Sequence, residues 1–349
     1  LVDLARHLDP REDAAGRRRA AGRVLKTAAV VVTYDEDPGV VRAAIDSLRA
    51  QTRPPQEILL VDNKPGATLP PLDDAPEVRV IAPDVNLGYP NAINFAMEHT
   101  DADFVLCLNP DARAEPECLE RLLAVDASIA GAQIVSEDGL TAQAGDNPLH
   151  PTGISPAGSF GRAREHGEPR DTIVVSGACT LFHRAAFLEL GGFMREFFLY
   201  YDDADLGWRA RIAGHRVVFV PEAVARHGYE FGRRERKMFL LERNRLIAVL
   251  ANYEARSLVV LAPLLLVFEL GVLGLAAAQG WLPEKLQAYG SVVSLRRAIR
   301  AHRRQVQSLR RCSDRELRRF FEPRLVSPFL PALPARLAGA VTAAYLRLV

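Results

Sequence analysis

Cysteine is scarce in this chain: four residues in 349 (Cys107, Cys118, Cys179 and Cys312), far apart and with no CxxC pair. That spacing speaks against a zinc site and against a secreted disulfide framework. Net charge is nearly absent, with 44 Lys and Arg against 43 Asp and Glu, so the whole chain does not read as a nucleic-acid binder. No GxGxxG follows the first strand-like run, which argues against a hydride-transfer enzyme. The 24 Gly and 23 Pro show no collagen-like period, and 48% hydrophobic content excludes a disordered tail. A secretory signal is missing too. The first 26 residues are polar, with Arg17, Arg18 and Arg19 together, and the catalytic part is expected in the cytoplasm.

Ala28–Thr33 is a β-branched run typical of a buried parallel strand. Asp37-Pro38 then caps a helix with Val41, Ala44, Ile45 and Leu48 at helical spacing. Glu57–Val61, Val78–Ala82 and Phe104–Leu108 read as further strands, with helices near 91–99 and 116–125. This alternation predicts an α/β fold: a mostly parallel sheet flanked by helices, with its ligand outside the carboxyl ends of the strands. Residues 136–172, rich in Gly, Pro and polar side chains, read as a long loop or flap over the site. Val174–Val175, Phe182 and Val217–Val220 are strand-like. Asp205–Ala213 reads as a helix stopped by Gly214, and 232–253 as another.

Ser257–Gln279 is apolar but for Glu269 and long enough to span a bilayer. Pro263 and two glycines leave a re-entrant or in-plane hairpin, or a buried helical pair, open. Residues 296–319 follow with ten Arg against Asp314 and Glu316. Leu295, Ile299, Val306 and Leu309 fall on one helical face there, as in helices on anionic membranes, the plainer alternative being a solvated charged face. The expected organisation is a lead-in over 1–26, a catalytic domain over 27–253 and a helical membrane-associating region over 254–349.

Polar groups at the strand ends carry the chemistry. Thr33-Tyr34-Asp35 follows the first strand and Asp62-Asn63 the second. Asp62 is suited to accept the imide N–H of a uracil or thymine, and Tyr34 to stack, unless Asp62-Asn63 only opens the turn before Pro65-Gly66. In Asn86-Leu87-Gly88-Tyr89, Gly88 lets backbone approach a ligand and the next helix start favours a diphosphate. Asn109-Pro110-Asp111 aims a carboxylate suited to a hard divalent cation, although Asn-Pro-Asp is also ordinary turn chemistry. Asp202, Asp203 and Asp205 open a helix after an aromatic run. One can be a cap, but three exceed what a cap requires, and crowded carboxylates raise one another's proton affinity, which suits a general base. His227 follows a strand, where a metal or phosphate contact competes with a structural role.

In this order the motifs, together with Ser176-Gly177-Ala178, resemble family-2 glycosyltransferases of the GT-A fold, in their rhamnosyltransferase-like branch, over roughly residues 27–230. The resemblance implies an inverting transfer from a nucleotide-diphosphate sugar, dTDP-rhamnose first and UDP-linked sugars second, to a lipid-linked saccharide of bacterial cell-wall or surface polysaccharide. It implies Thr33, Tyr34, Asp35 and Asp62 at the nucleoside, and Asn86, Gly88, Asn94 and Asn109 at the diphosphate and donor sugar. Asp111, with His227, would hold Mg²⁺ or Mn²⁺. Asp203 would be the base beside Asp202, with Asp205 in reserve, and Ser176, Gly177, Ala178 and Asp205 would lie at the acceptor. Asp202 stands where the family usually has Glu, and Pro90 where a small flexible residue is usual. Arg243 and Arg245 are candidates for an acceptor diphosphate, as an alternative to a plain charged helix face. Expected partners are these substrates and an anionic membrane surface at the cytoplasmic face, with a homo-oligomer left open. Of the rivals, a nucleotidyltransferase lacks its Gly-rich basic loop here, since Thr33–Asp37 is acidic. A degenerate membrane scaffold would not need Asp62, Asp111 and Asp203 together.

Overall fold

The structure, a computed structural model, describes residues 25–66, 75–228 and 236–324, and residues 339, 340, 342 and 343 near the C-terminus. The lead-in expected over 1–26 therefore lies outside the described residues but for its last two. One mixed sheet forms the centre. Its strands are β1 (Thr27–Thr33), β2 (Glu57–Asp62), β3 (Val78–Ile81), β4 (Phe104–Leu108), β5 (Ala112–Ala114), β6 (Ile129–Val135), β7 (Ala142–Ala144), β8 (Arg170–Asp171), β9 (Cys179–His183) and β10 (Val217–His227). The main order is β3-β2-β1-β4-β9-β6-β10-β5, with β7 on β6 and β8 on β10.

The sheet is less parallel than expected. β3, β2, β1 and β4 run parallel, as do β6 and β10, but β9 is antiparallel between β4 and β6, and β5 is antiparallel on β10. The insertion of β9 has a functional consequence: it brings the start of β9 to the edge where β1, β2, β4 and β10 end.

Helices α1 (Pro38–Arg49), α2 (Tyr89–Glu98), α3 (Cys118–Leu123), α4 (Arg184–Glu189) and α5 (Asp202–Ile212) cover the two faces. Successive residues of β1 enter opposite cores: Ala29 and Val31 pack with Val41 and Leu48 of α1, while Val30 and Val32 pack with Ile93 and Met97 of α2. A strand buried on both sides must be apolar throughout, which is why β1 reads as an unbroken run. The Asp37 carboxylate accepts the Gly39 N–H at 2.8 Å and Pro38 sits in the first turn, so α1 starts where the sequence predicts.

The C-terminal helices are α6 (Lys237–Asn252), α7 (Ala255–Gln279), α8 (Leu282–Ser294), α9 (Arg296–Ser308) and α10 (Asp314–Leu317). A single cluster joins Ile173, Trp208 and Ile247 to Leu261, Leu264, Ile299 and Val306, so the core runs across the boundary expected at residue 253.

One expectation changes here. The apolar face of α9 does not look outward: Ile299 and Val306 are buried, and Leu295 and Leu309 pack on the core. Packing against α6 satisfies that face, with Arg296, Arg297, Arg300 and Arg304 outside. Residues 136–172 form a long, mostly irregular segment that is tied to the domain. Asp146 bridges to Val175, Arg164 pairs with Glu115 through two hydrogen bonds, and Tyr253 donates to the Pro151 carbonyl at 2.7 Å.

Candidate active site

The ends of β1, β2, β4 and β10 and the start of β9 meet at one edge, where Thr33 lies beside Asp62 and Leu108 beside Cys179 in register. Asp62 is 2% exposed, and its Oδ2 has no hydrogen-bond partner within the protein. A buried carboxylate oxygen without a donor is costly unless a ligand supplies one. Next to it, Glu36 gathers the turn: its Oε2 accepts from the Thr33 hydroxyl at 2.7 Å and the Tyr34 amide at 2.6 Å. Tyr34 itself is exposed, available for stacking. Asp35 carries an exposed ion pair with Lys64. Sequence reasoning missed Glu36 and Lys64, although both lie within two residues of quoted motifs.

The asparagines of the second motif serve the fold more than expected. Asn63 donates to Asn86 Oδ1 at 3.0 Å and accepts the Leu87 amide at 3.0 Å, and Asn86 Oδ1 also takes the Gly88 amide at 2.9 Å. Gly88 has φ +73°, and a Cβ there would stand 2.2 Å from the Phe198 carbonyl oxygen. The absence of a side chain at Gly88 is thus required by the close approach of residue 198. Asn94 is also corrected: its amide accepts from Phe193 N at 2.8 Å and donates to Phe193 O at 2.9 Å, which leaves it bound to protein instead of donor sugar.

Past β4, the Asn109 amide donates to Ala178 O at 2.9 Å, tying this turn to the 176–178 loop. His227 Nε2 lies 3.0 Å from Asp111 Oδ1 and 3.5 Å from Asn109 Nδ2. Among the described residues no group of three His, Cys, Asp or Glu side chains is gathered for a metal. The pair of one carboxylate and one imidazole still fits a Mg²⁺- or Mn²⁺-type ion that keeps water and diphosphate oxygens in its remaining positions.

Asp203 stands in the first turn of α5, half-buried. Its Oδ2 accepts the Gly177 amide at 3.2 Å and its Oδ1 the Ala204 amide at 2.8 Å. Burial pushes its carboxyl above the usual range, against the pull of those amides. Asp202, 7% exposed, is pushed to about 8 by burial and then by the charge of Asp203. Both border a small apolar cavity lined by Tyr89, Cys107, Val175 and Phe193. Tyr200 and Tyr201, immediately upstream, both have φ +68°. Left-handed tyrosines cost of order 1–2 kcal/mol each, so the turn that aims the carboxylates is held under strain. The Ser176 hydroxyl accepts the Ala178 amide at 3.4 Å, and Tyr89 donates to Gly177 O at 3.2 Å, which fixes this loop beside Asp203.

Three expected acceptor residues are elsewhere engaged. Asp205 is fully buried, paired with Arg209 at 2.8 Å and accepting from Asn252 at 3.1 Å. Arg209 in turn donates to Leu190 O and Gly192 O, so this pair braces a turn and has no route to an acceptor. Arg245 is buried against Glu242 and Glu269, and Arg243 donates to Glu196 O at 2.8 Å. A strong carboxylate partner or carbonyl inside the protein outcompetes the solvent-side role that charge alone suggested.

Comparison with known proteins places the chain in a family. The sequence profile of Glycosyl transferase family 2 matches residues 28–191. The chain is 31% identical over 229 residues to N-acetylglucosaminyl-diphospho-decaprenol L-rhamnosyltransferase of Mycobacterium tuberculosis, covering 57% of this chain and 74% of that protein. It is 28% identical over 222 residues to the O-antigen biosynthesis protein RfbC of Myxococcus xanthus, 59% of this chain but 17% of that one. In three dimensions it is similar to GalNAc-T7, solved with UDP, GalNAc and Mn²⁺, with a TM-score of 0.52 at 14% identity over 68% of this chain and 49% of that one, a likeness of fold alone. The chain belongs to glycosyl transferase family 2, in its rhamnosyltransferase-like branch, and is a glycosyltransferase.

Proposed function

We propose that this enzyme transfers a sugar, with inversion, from a nucleotide-diphosphate donor to a hydroxyl of a lipid-diphosphate-linked saccharide. The carrying observation is Asp203: a carboxylate of raised proton affinity, held by the Gly177 amide at the sheet edge that also bears Asp62 and the Asp111–His227 pair. Asp62 Oδ2 would take the base imide, and Tyr34 its face. Asp111 and His227 would hold Mg²⁺ or Mn²⁺, which when bound offsets the charge that develops on the departing diphosphate. The acceptor hydroxyl is a weak nucleophile until Asp203 removes its proton on the face opposite the leaving group. The donor that fits the relatives best is dTDP-rhamnose. A UDP-linked hexose or galactofuranose is the second reading, since uracil presents the same imide edge to Asp62.

The acceptor's lipid fits the far side of α7. This helix runs 25 residues, about 37 Å at 1.5 Å per residue. Its inner stripe, Leu261, Leu264, Val272 and Ala276, is buried on the protein along the whole length, and Glu269 turns inward to Arg245, Lys285 and Tyr289. Its outer stripe, Val259, Val260, Leu266, Val267 and Leu270, is exposed and uncharged. A helix packed lengthwise on charged neighbours fits the plane of a bilayer better than a span, with the outward arginines of α9 available to lipid phosphates.

Asp203→Asn should cut transfer by about 10²–10⁴-fold while donor affinity, measured by calorimetry with dTDP- and UDP-sugars, stays within severalfold. Near-normal turnover would refute the base assignment. The chain should float with anionic vesicles and lose them when Leu266 and Val267 are changed to Asp. Unchanged flotation would remove α7 as the contact.

A further inference from the structure

The run Glu242-Arg243-Asn244-Arg245 occupies one turn of α6 and faces two ways. Glu242 and Arg245 pair with each other at 2.6 Å and join Lys285 and Glu269, binding α6 to the apolar hairpin of α7 and α8. Arg243 and Asn244 reach instead to the segment that leads into α5. The Asn244 amide, fully buried, donates to Tyr200 O at 2.8 Å and Leu199 O at 3.1 Å. Its Oδ1 accepts from Arg243 Nε at 2.9 Å, which fixes the orientation of the amide, and Arg243 donates onward to Glu196 O. From the other side, Asn91 donates to Arg195 O at 2.9 Å and Phe197 O at 3.1 Å.

The Asn244 clamp falls on the first of two left-handed tyrosines, Tyr200 and Tyr201, directly before Asp202 and Asp203. Such residues keep an unfavourable backbone only where neighbours over-determine it. Asn244 holds the two carbonyls that a relaxing turn would have to rotate. Tyr201 is anchored as well, through its hydroxyl on Gly153 O, in a loop whose Thr152 carbonyl accepts from Arg245 at 2.9 Å.

We infer that Asn244, oriented by Arg243, is a positioning residue for the transfer: it holds the strained turn that presents Asp203 beside Gly177. The inference rests on Asp203 being the base. Its test uses the full chain carrying Asn244→Ala or Asn244→Asp, the latter keeping the shape but having no N–H to donate. Turnover per donor-binding site, counted by calorimetry, should fall roughly tenfold to a hundredfold in both, with donor KM within severalfold, because a misplaced base affects the transition state and not donor binding. The acid limb of the rate against pH should also move down toward the ordinary carboxylate range as the turn opens and water reaches Asp202 and Asp203. Should both variants fail to fold, Arg243→Lys, which loses the contact orienting Asn244, should show a smaller fall of the same pattern. Turnover within about twofold of the parent in whichever variant folds would overturn the inference. An active Asp203→Asn would instead remove the assignment beneath it, so the two failures are separable.

Discussion

At the end of β2, Asp62 keeps a buried oxygen with no hydrogen-bond partner within the protein. Beyond β4 and at the end of β10, Asp111 and His227 pair with each other at 3.0 Å. Around α5 and α6 the reverse of Asp62 is found. Asp205, Arg209, Arg243, Asn244 and Arg245 are of equally reactive types, yet their polar groups bond to carbonyls and carboxylates of the protein. Under the proposed function, the first region meets the ligand and the second is a frame behind Asp203. Residue type alone does not distinguish Asp62 from Asp205, whereas an internal partner, absent at Asp62 Oδ2 and present at Asp205, does.

That contrast can be broken most sharply at Asp205. Asp205→Ala should leave the Arg209 guanidinium buried without its carboxylate and destabilise the protein by about 3–5 kcal/mol, read as a lowered Tm. A stable variant that had lost only acceptor affinity would return Asp205 to the substrate side. Asp62→Asn, by contrast, should weaken dTDP and UDP binding roughly tenfold, a charge-assisted hydrogen bond's worth, without lowering Tm. A large loss of stability there would make Asp62 a brace after all.

The smallest effect concerns Asp202. Its carboxyl is raised from the usual value to about 8 in the fold, so it keeps a proton that the unfolded chain has released. Stability from this group is present below the ordinary carboxylate range and is lost as pH rises toward about 8. Asp202→Asn cannot ionise, so it should raise Tm most near pH 8, by less in mildly acidic buffer, and change it little only in acid below the ordinary carboxylate range. Equal shifts across this pH range would mean that Asp202 is not held protonated.

Much of this was readable in the order of residues. Strands β1, β2 and β4 appear as apolar runs because both their faces are buried, and α1 announces itself through Asp37-Pro38 and its apolar stripe. Asp62, Asp111, Asp203 and His227 stand at element ends because a sheet gathers strand termini at one edge. Three acceptor-side assignments failed for a different reason: Arg243, Arg245 and Asp205 found partners 24 to 47 residues away, namely Glu196, Glu269 and Asn252. Nothing local in the sequence foretells such a pairing.

By itself, then, the chain's pattern determined the sheet, its carboxyl edge and the residue types placed on it, since hydrophobic period and capping act over a few positions. Only tertiary structure decided which of those groups remain unsatisfied, which way Glu269 turns from the apolar helix, and that two strained tyrosines precede Asp202 and Asp203. Those outcomes depend on long-range contacts, where an internal partner within hydrogen-bond distance determines whether a polar side chain is left for a ligand.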